Sequence, residues 1–291
     1  MTTKTVDDQL LFAPSAELHY RVAKIIERAQ AKFPDYTLLD FTLMGNHPHH
    51  VFRTTSTRPA RVLQYLHAPI ARWVNRLHGR RGAVFGQRYR DKALLDSAAT
   101  INAWIYSAAN PVRAHLVGQL KDWEGFSTWP AVAAGKKEHC VAWFDESSWR
   151  RRGAKESQRE RFVRRAVVKV GVPVEWEGLD PERLEREHHA LRARMREVEA
   201  ENVCEHVEVE LATQHRDVSA SPPRTAAPKE PRRGWDRAAG ARHLVERHRV
   251  AYVLVVPLYR RQSAEYRRSG GLVPFPDGTY PPWIPEPREW L

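Results

Sequence analysis

Two histidines one residue apart, His47 and His49, follow a Gly-Asn turn and open a stretch whose composition is typical of a β-strand. Side chains two residues apart in a strand point to the same face, so both imidazoles can reach one metal ion. Because the chain has 14 histidines among 291 residues, such a pair is also expected by chance. The pair therefore allows two interpretations, a metal site or two ordinary surface histidines beside a turn.

A tyrosine and an asparagine, Tyr106 and Asn110, lie four residues apart on a predicted helix and therefore share a face of it. The helix must stop by Asn110, because Pro111 disfavours helical torsions in the residue before it. A phenol, two imidazoles and an amide suit phosphoryl transfer, with tyrosine as nucleophile and a divalent metal polarising the phosphate. Such mixed ligands favour Mg²⁺ or Mn²⁺ over a closed zinc site. The alternative is a core tyrosine packed with Trp104 and Ile105.

Hydrophobic periodicity predicts helices that alternate with strand pairs over residues 1–130. This order indicates an α+β domain in which helices pack on an antiparallel sheet. Pro69 lies inside the second helix and should kink or split it. The predicted elements are helices over 15–33, 58–78 and 97–110 and strands over 36–44, 49–55, 84–89 and 92–95.

The rest of the chain is predicted to be a mainly helical, basic C-terminal extension. We expect a strand over 166–170 and a charged helix over 180–202, on which His188 and His189 would be exposed to solvent. Composition divides this extension into three parts. They are a basic α/β region over 131–215, a linker over 216–233, and a helical segment with a Pro/Gly-rich tail over 234–291.

The chain carries 47 Lys and Arg against 35 Asp and Glu, which gives a net charge of +12 and a pI near 9.9. This surplus fits a polyanionic partner, but nucleic acid, a membrane surface and simple solubility all agree with it. Apolar runs fall far short of the ~20 residues that span a bilayer. Since no secretory leader is readable, we expect a cytoplasmic protein. Cys140 and Cys204 lack the spacing of a disulfide framework or a thiolate zinc site.

Three motifs stand in order between residues 44 and 127. They are Met44-Gly45-Asn46-His47-Pro48-His49, then Arg81-Gly82 through Phe85 to Arg88-Tyr89, and finally Tyr106-Ser107-Ala108-Ala109-Asn110-Pro111-Val112-Arg113-Ala114 with Leu116-Val117, Asp122-Trp123 and Phe126-Ser127. This set resembles the REP-associated tyrosine transposases, which carry an insertion-sequence-200-like domain and belong to the HUH superfamily of single-strand DNA transposases. Order and spacing agree across residues 10–130, and residues 275–280 resemble a tail of long members.

The resemblance implies a fold, a reaction and a role for each candidate residue. His47, His49 and Asn110 would bind a divalent metal, Mg²⁺ or Mn²⁺, and Tyr106 would be the nucleophile that forms a 5′-phosphotyrosine. The implied fold is a ferredoxin-like antiparallel sheet with packed helices. The implied substrate is single-stranded DNA in hairpins or palindromic repeats, which a monomer or homodimer cuts and rejoins without ATP.

The chain departs from the family pattern at three places. The family has a first strand ahead of residues 10–14, where this sequence has only a short segment, so that strand is expected to be absent or largely truncated. Pro48 replaces an apolar residue between the histidines, and Pro69 interrupts a continuous helix. These departures allow a second function, a domesticated or decayed member that binds DNA hairpins without cutting. An RNA-binding module ranks third, because paired aromatic strand motifs are absent from the sequence.

Part of the positive charge is expected to contact DNA phosphates. For the cluster that follows Trp149, a solvated face interleaved with Glu156 and Glu160 is the alternative interpretation. The candidate DNA-binding residues are Arg81, Arg88, Arg113, Arg150, Arg151, Arg152, Arg164 and Arg165.

Overall fold

A computed structural model describes residues 1–202, 238–269 and 273–274 of the chain. The predicted linker over 216–233 and the tail motif over 275–280 lie outside these residues. The described residues belong to two compact units. The first unit comprises 1–91 and 97–202, and the second comprises 92–96 and the described residues from 238 onward.

Helices and strands alternate along the chain, and the strand pairs of the first unit are antiparallel. The predicted mixture of helices with an antiparallel sheet is therefore confirmed. In chain order the elements are α1 (Ala16–Lys32), β1 (Thr37–Leu43), β2 (Pro48–Arg53), α2 (Pro59–Leu77), β3 (Ala93–Leu94), α3 (Ser97–Ala108), α4 (Asn110–Arg113), α5 (Trp129–Ala133), β4 (Glu138–Phe144), α6 (Glu146–Arg151), β5 (Val163–Lys169), α7 (Pro181–Glu201), β6 (Ala238–Ala239) and α8 (Arg242–Ser269).

The strand-turn-strand predicted before the second helix is present as β1 and β2. The two strands pair with Thr42 opposite His49 and Leu43 opposite Pro48. Pro48 is the first residue of β2, a position at which a strand tolerates the missing N–H of proline. The pairing therefore accommodates the proline between the two histidines.

Residues 1–5 run beside β2, where the resemblance expects a first strand. Thr2 forms bridges with both His49 and Arg90, and Thr5 forms one with Phe85. This segment thus lies between β2 and residues 84–90, and the truncation of a longer strand stays a prediction. The strand predicted over 84–89 is wrong, because these residues form isolated bridges rather than a continuous ladder.

The main core lies between β1 and the helices α1 and α2. Residues at helical spacing on each helix are buried, as expected for amphipathic helices that pack on a sheet. On α1 and α2 these residues are Leu18, Val22, Ile26, Ala29, Val62, Leu66, Ile70 and Val74.

Pro69 lies inside α2, which nevertheless runs as one helix from Pro59 to Leu77. Of the two outcomes predicted for this residue, the split is therefore wrong and the kink stays a prediction. Pro69 has no N–H, so the carbonyl of Tyr65 does not receive the hydrogen bond that residue 69 would otherwise donate. Leu66 and Ile70 are buried on either side of the proline and hold the helix on the core, which offsets that loss.

The hairpin of β4 and β5 packs against α1. Glu27 of α1 accepts a hydrogen bond from the backbone N–H of Val167 at 3.0 Å, and Ala166 and Val168 are part of the main core. Residues beyond 130 therefore pack with the N-terminal elements inside the first unit. The domain boundary near residue 130 rests on composition and stays a prediction.

α7 packs against α3, which in turn contacts β1 and β2. The ring of Trp176 lies 6.0 Å from that of Trp104 on α3 and 5.5 Å from that of His188 on α7. His188 is buried, so its predicted exposure to solvent is wrong, whereas His189 is exposed. The reason is that His188 shares the buried face of α7 with Leu191, which aligns with it at helical spacing.

The second unit contains β3, β6 and α8. β3 pairs in parallel with β6, with Ala93 opposite Ala238. The strand predicted over 92–95 therefore pairs with β6 and not with the neighbouring segment 84–89. α8 matches the helical segment predicted near the C-terminus. Across the residues that the structure describes, no helix has the length and apolarity that a membrane span requires.

The first turn of α1 offers a direct test of local stability. The Oγ of Ser15 accepts a hydrogen bond from the backbone N–H of Leu18 at 3.1 Å. Ser15→Ala removes this N-cap and is expected to lower the free energy of unfolding by about 1 kcal/mol, measured by urea denaturation. Ser15→Asp keeps an acceptor and should unfold like the wild type. Equal losses in both variants would contradict the capping role.

Candidate active site

The four residues predicted to carry chemistry come together where β2 begins and α3 ends. The Nε2 atom of His47 lies 2.9 Å from the Nε2 atom of His49. The ring of Tyr106 lies 5.8 Å from the ring of His49, centroid to centroid, and the side-chain amide of Asn110 is hydrogen-bonded to His49. The two pairs meet because α3 packs across β1 and β2.

Burial keeps the histidine pair neutral. Desolvation, with a smaller contribution from the Lys4 cation, lowers the pKa of His47 to about 4, and Asp8 opposes this shift. Desolvation lowers the pKa of His49 to about 3, with an added contribution from His47, while the bond to Asn110 opposes the shift. Both rings are therefore uncharged at neutral pH, which is the state in which imidazole binds a metal.

Asn46 orients the first histidine. The Nδ1 atom of His47 donates to Oδ1 of Asn46 at 2.6 Å, so Nε2 of His47 presents its lone pair toward His49. The Nδ2 atom of Asn46 donates to the carbonyl of Asp8 at 3.4 Å. Asn46 is part of the first sequence motif, but no separate role was predicted for it. Its position directly beside a candidate ligand was the signal for this orienting role.

The donor atoms fit a divalent cation. Two neighbouring ligands of an octahedral ion, each about 2.1 Å from it, lie about 3 Å apart. The 2.9 Å between the Nε2 atoms of His47 and His49 matches this separation. Among the described residues no group of three His, Cys, Asp or Glu side chains could hold a metal. A third ligand beside the two histidines would have to be the amide oxygen of Asn110, the residue that the family resemblance implies.

Tyr106 is the accessible member of the group. Its side chain is 52% exposed, whereas its neighbours Trp104 and Ile105 are buried. The interpretation of Tyr106 as a core residue is therefore wrong. The guanidinium carbon of Arg113 lies 5.5 Å from the centre of the Tyr106 ring, so a cation stands beside the phenol. This predicted DNA-binding arginine is placed where it could hold a phosphate next to the tyrosine.

The helix that carries Tyr106 stops before Asn110, as predicted. α3 stops at Ala108 and Asn110 begins α4, because Pro111 lacks the N–H that would continue the hydrogen-bond ladder. Ala109 between them has helical torsion angles, with φ −78° and ψ 0°. The chain therefore keeps its helical course, and Tyr106 and Asn110 both reach His49.

Comparison with known proteins adds no roles to this geometry. Neither a protein-family model, nor a curated protein, nor a solved structure matches the chain. The function of the site is therefore argued from the arrangement of His47, His49, Tyr106 and Asn110 and from the resemblance of their motifs.

A buried carboxylate holds α3 against the strands. Asp40 of β1 is fully buried and accepts hydrogen bonds from Ser107 Oγ at 2.5 Å, Thr128 Oγ1 at 3.1 Å and Thr42 Oγ1 at 3.2 Å. Burial raises the pKa of Asp40 to about 6, although these hydrogen bonds oppose the shift. Because Ser107 follows Tyr106, this network positions the tyrosine. The sequence signal for this network was Asp40 itself, an acidic residue inside an otherwise apolar predicted strand.

Two of the other predicted DNA-binding residues, Arg81 and Arg88, are exposed on the connection between α2 and β3. The guanidinium carbon of Arg88 lies 5.3 Å from the ring centre of Tyr89. The DNA-binding role of both arginines stays a prediction.

The remaining candidates cluster on α6 and β5. All of them are exposed, and three form ion pairs: Arg150 with Glu146, Arg164 with Asp145, and Arg165 with Glu160. Among the described residues, no hydrogen bond or ion pair links this cluster to Tyr106 or to the histidines. These ion pairs support the alternative interpretation from the sequence, in which the arginines lie on a solvated face whose charges are balanced. The cluster consists of Arg150, Arg151, Arg152, Arg164 and Arg165.

Proposed function

We propose that this protein is a transposase-like enzyme of the HUH type that cuts and rejoins single-stranded DNA. The observation that carries the proposal is the convergence of two neutral imidazoles, an amide and an exposed phenol at one point. The proposal includes a ferredoxin-like arrangement of the sheet, which antiparallel β1 and β2 with α3 packed on them support. Hairpin or palindromic DNA is the proposed substrate.

Tyr106 is the nucleophile of the proposed reaction. Its Oη forms a bond to a backbone phosphorus while the bond from phosphorus to the 3′ oxygen breaks. The tyrosine proton passes to solvent, and the departing oxygen takes up a proton and becomes a 3′-hydroxyl. The 5′-phosphate stays on Tyr106 until a 3′-hydroxyl attacks it and reverses the step, so no ATP is consumed.

The residues around Tyr106 prepare the phosphate. His47, His49 and Asn110 would hold Mg²⁺ or Mn²⁺, which, when bound, neutralises charge on the phosphate oxygens. Arg113 binds a phosphate oxygen on the open side of the phenol. Asn46 keeps the His47 ring in the required orientation, and the Asp40 network keeps Tyr106 beside the histidines.

Hairpin oligonucleotides labelled at one end test the proposal. Because the 5′-phosphate remains on tyrosine, a 3′-labelled strand should transfer its label to the protein, and a 5′-labelled strand should release a free labelled fragment. Removing the metal with EDTA is expected to abolish the adduct, and added Mn²⁺ should restore it. Label transferred from the 5′-labelled strand would contradict the assigned polarity.

Two histidine variants distinguish a specific role of the candidate site from a general effect of replacing a histidine. His49→Ala should lose the adduct and Mn²⁺ binding, whereas His189→Ala removes an exposed histidine of α7 and should keep both. Hairpin binding without any adduct, unchanged by EDTA, would instead assign the chain to the binding-only function.

A further inference from the structure

A basic groove lies between α1 and α2, outside the candidate active site. It has a volume of about 440 Å³, and among the described residues that line it none is acidic. Four cations line it: Arg28 and Lys32 from α1, and Arg61 and Arg72 from α2. All four side chains are exposed to solvent. The groove therefore concentrates positive charge along both of its walls.

The charge of this groove is not balanced by ion pairs. Within the part of the chain that the structure describes, none of the four cations forms a salt bridge, and the nearby Glu27 pairs with Lys24 instead. This distinguishes the groove from the cluster on α6 and β5, where Arg150 pairs with Glu146 and Arg164 with Asp145. Arg28 also interacts electrostatically with Glu27, but Lys32, Arg61 and Arg72 form no salt bridge among the described residues that an anionic ligand would have to displace.

An aromatic ring stands between the cations. Tyr65 is 36% exposed, and its ring packs edge-on against Phe33 at 5.5 Å between centroids, which fixes the ring on the groove wall. Pro69, one turn further along α2, also lines the groove. A fixed, exposed ring flanked by cations is the arrangement on which an unpaired base stacks while its phosphates are held.

We propose that this groove binds a segment of single-stranded nucleic acid. Arg61 and Arg72 are eleven positions apart on α2, or about 16 Å at 1.5 Å per residue, which accommodates about three to five nucleotides at 3.4 Å or more each. The cations hold the phosphates, and one base stacks on Tyr65. This binding uses neither the histidines nor Tyr106, so it goes beyond the proposed cleavage reaction.

Fluorescence anisotropy of the full chain with a labelled oligo(dT) strand, in EDTA and over a range of salt, tests the charge of the groove. In Arg61→Ala/Arg72→Ala the slope of log affinity against log salt should fall by about 1.4, since each lost phosphate contact removes about 0.7. Arg186→Ala/Arg196→Ala removes the same charge from exposed positions on α7 and should leave the slope unchanged. Equal falls in both variants would overturn the proposal.

Substitutions of Tyr65 test the stacking of a base. Tyr65→Leu should weaken oligo(dT) binding by about five-fold to a hundred-fold, whereas Tyr65→Phe keeps the ring and should bind like the wild type. Inorganic polyphosphate has no bases, so its binding should not respond to Tyr65→Leu. An oligo(dT) affinity equally insensitive to Tyr65→Leu would reduce the groove to a plain anion site and overturn the proposal.

A matched oligo(U) strand distinguishes the two sources of the ligand. Tighter binding of oligo(dT) supports a DNA ligand, and equal or tighter binding of oligo(U) supports a groove that also accepts RNA. Because EDTA is present throughout, failure of the cleavage reaction leaves these measurements unaffected.

Discussion

Tyr106→Phe is expected to abolish the protein–DNA adduct and to slow cleavage by about a thousand-fold or more, the scale on which loss of a nucleophile acts. The substitution removes only the phenolic oxygen. The ring keeps its contact with His49 and its place below Arg113, so the geometry around it should persist. Single-turnover cleavage of a labelled hairpin in Mn²⁺ measures the effect.

Two controls accompany the Tyr106 substitution. Tyr65→Phe makes the same chemical change on another exposed tyrosine and should retain full cleavage. Hairpin affinity in EDTA should be equal for Tyr106→Phe and the wild type, because an exposed phenol adds little to folding or binding. Cleavage undiminished in Tyr106→Phe would remove the catalytic assignment from this residue.

Individual helices and turns could be predicted because the residue pattern that specifies each of them lies within the element itself. Leu18, Val22 and Ile26 recur at helical spacing on α1, and Gly45-Asn46 separates two extended runs. These features depend on neighbours in sequence, and the structure contains them nearly as predicted. The shared face of Tyr106 and Asn110 could also be predicted from the sequence, since four residues cover about one helical turn.

Contacts between distant residues could not be predicted in the same way. His49 and Tyr106 meet only because α3 crosses β2, and periodicity does not specify which helix covers which strand face. The misplacement of His188 has a different cause. Its helix is rich in charge, but Leu191 and Met195 follow His188 at helical spacing and mark a buried face that the charge obscured. Of the kink or split predicted at the proline in α2, the split is absent because packing outweighs one lost hydrogen bond.

Asp40 forms hydrogen bonds with residues distant in sequence, Ser107 and Thr128. Its ionisation is expected to have a large effect on the free energy of unfolding. Burial raises the pKa of its carboxyl to about 6 in the folded protein, against an ordinary value of 3.8. Between these values the folded state binds more protons than the unfolded state, so this group makes stability fall as pH rises. Two pKa units correspond to about 3 kcal/mol.

Asp40→Asn removes this ionisation while keeping an oxygen for Ser107. The free energy of unfolding of Asp40→Asn, relative to the wild type, should therefore rise by about 3 kcal/mol from about pH 4 to about pH 7. The lowered pKa values of His47 and His49 act in the opposite sense, because those rings protonate on unfolding, but they contribute equally to both proteins. Urea denaturation of both proteins across this range measures the difference.

Asp40→Ala separates charge from hydrogen bonding. It deletes the acceptor and leaves the buried hydroxyls of Ser107, Thr128 and Thr42 without this partner, so it should be destabilised relative to Asp40→Asn at every pH. Because Ser107 adjoins Tyr106, Asp40→Ala should also cleave more slowly than Asp40→Asn at equal Mn²⁺ occupancy. Parallel stability curves for the wild type and Asp40→Asn would show that the carboxyl does not titrate in this window, and the network would then hold α3 through a permanently charged group.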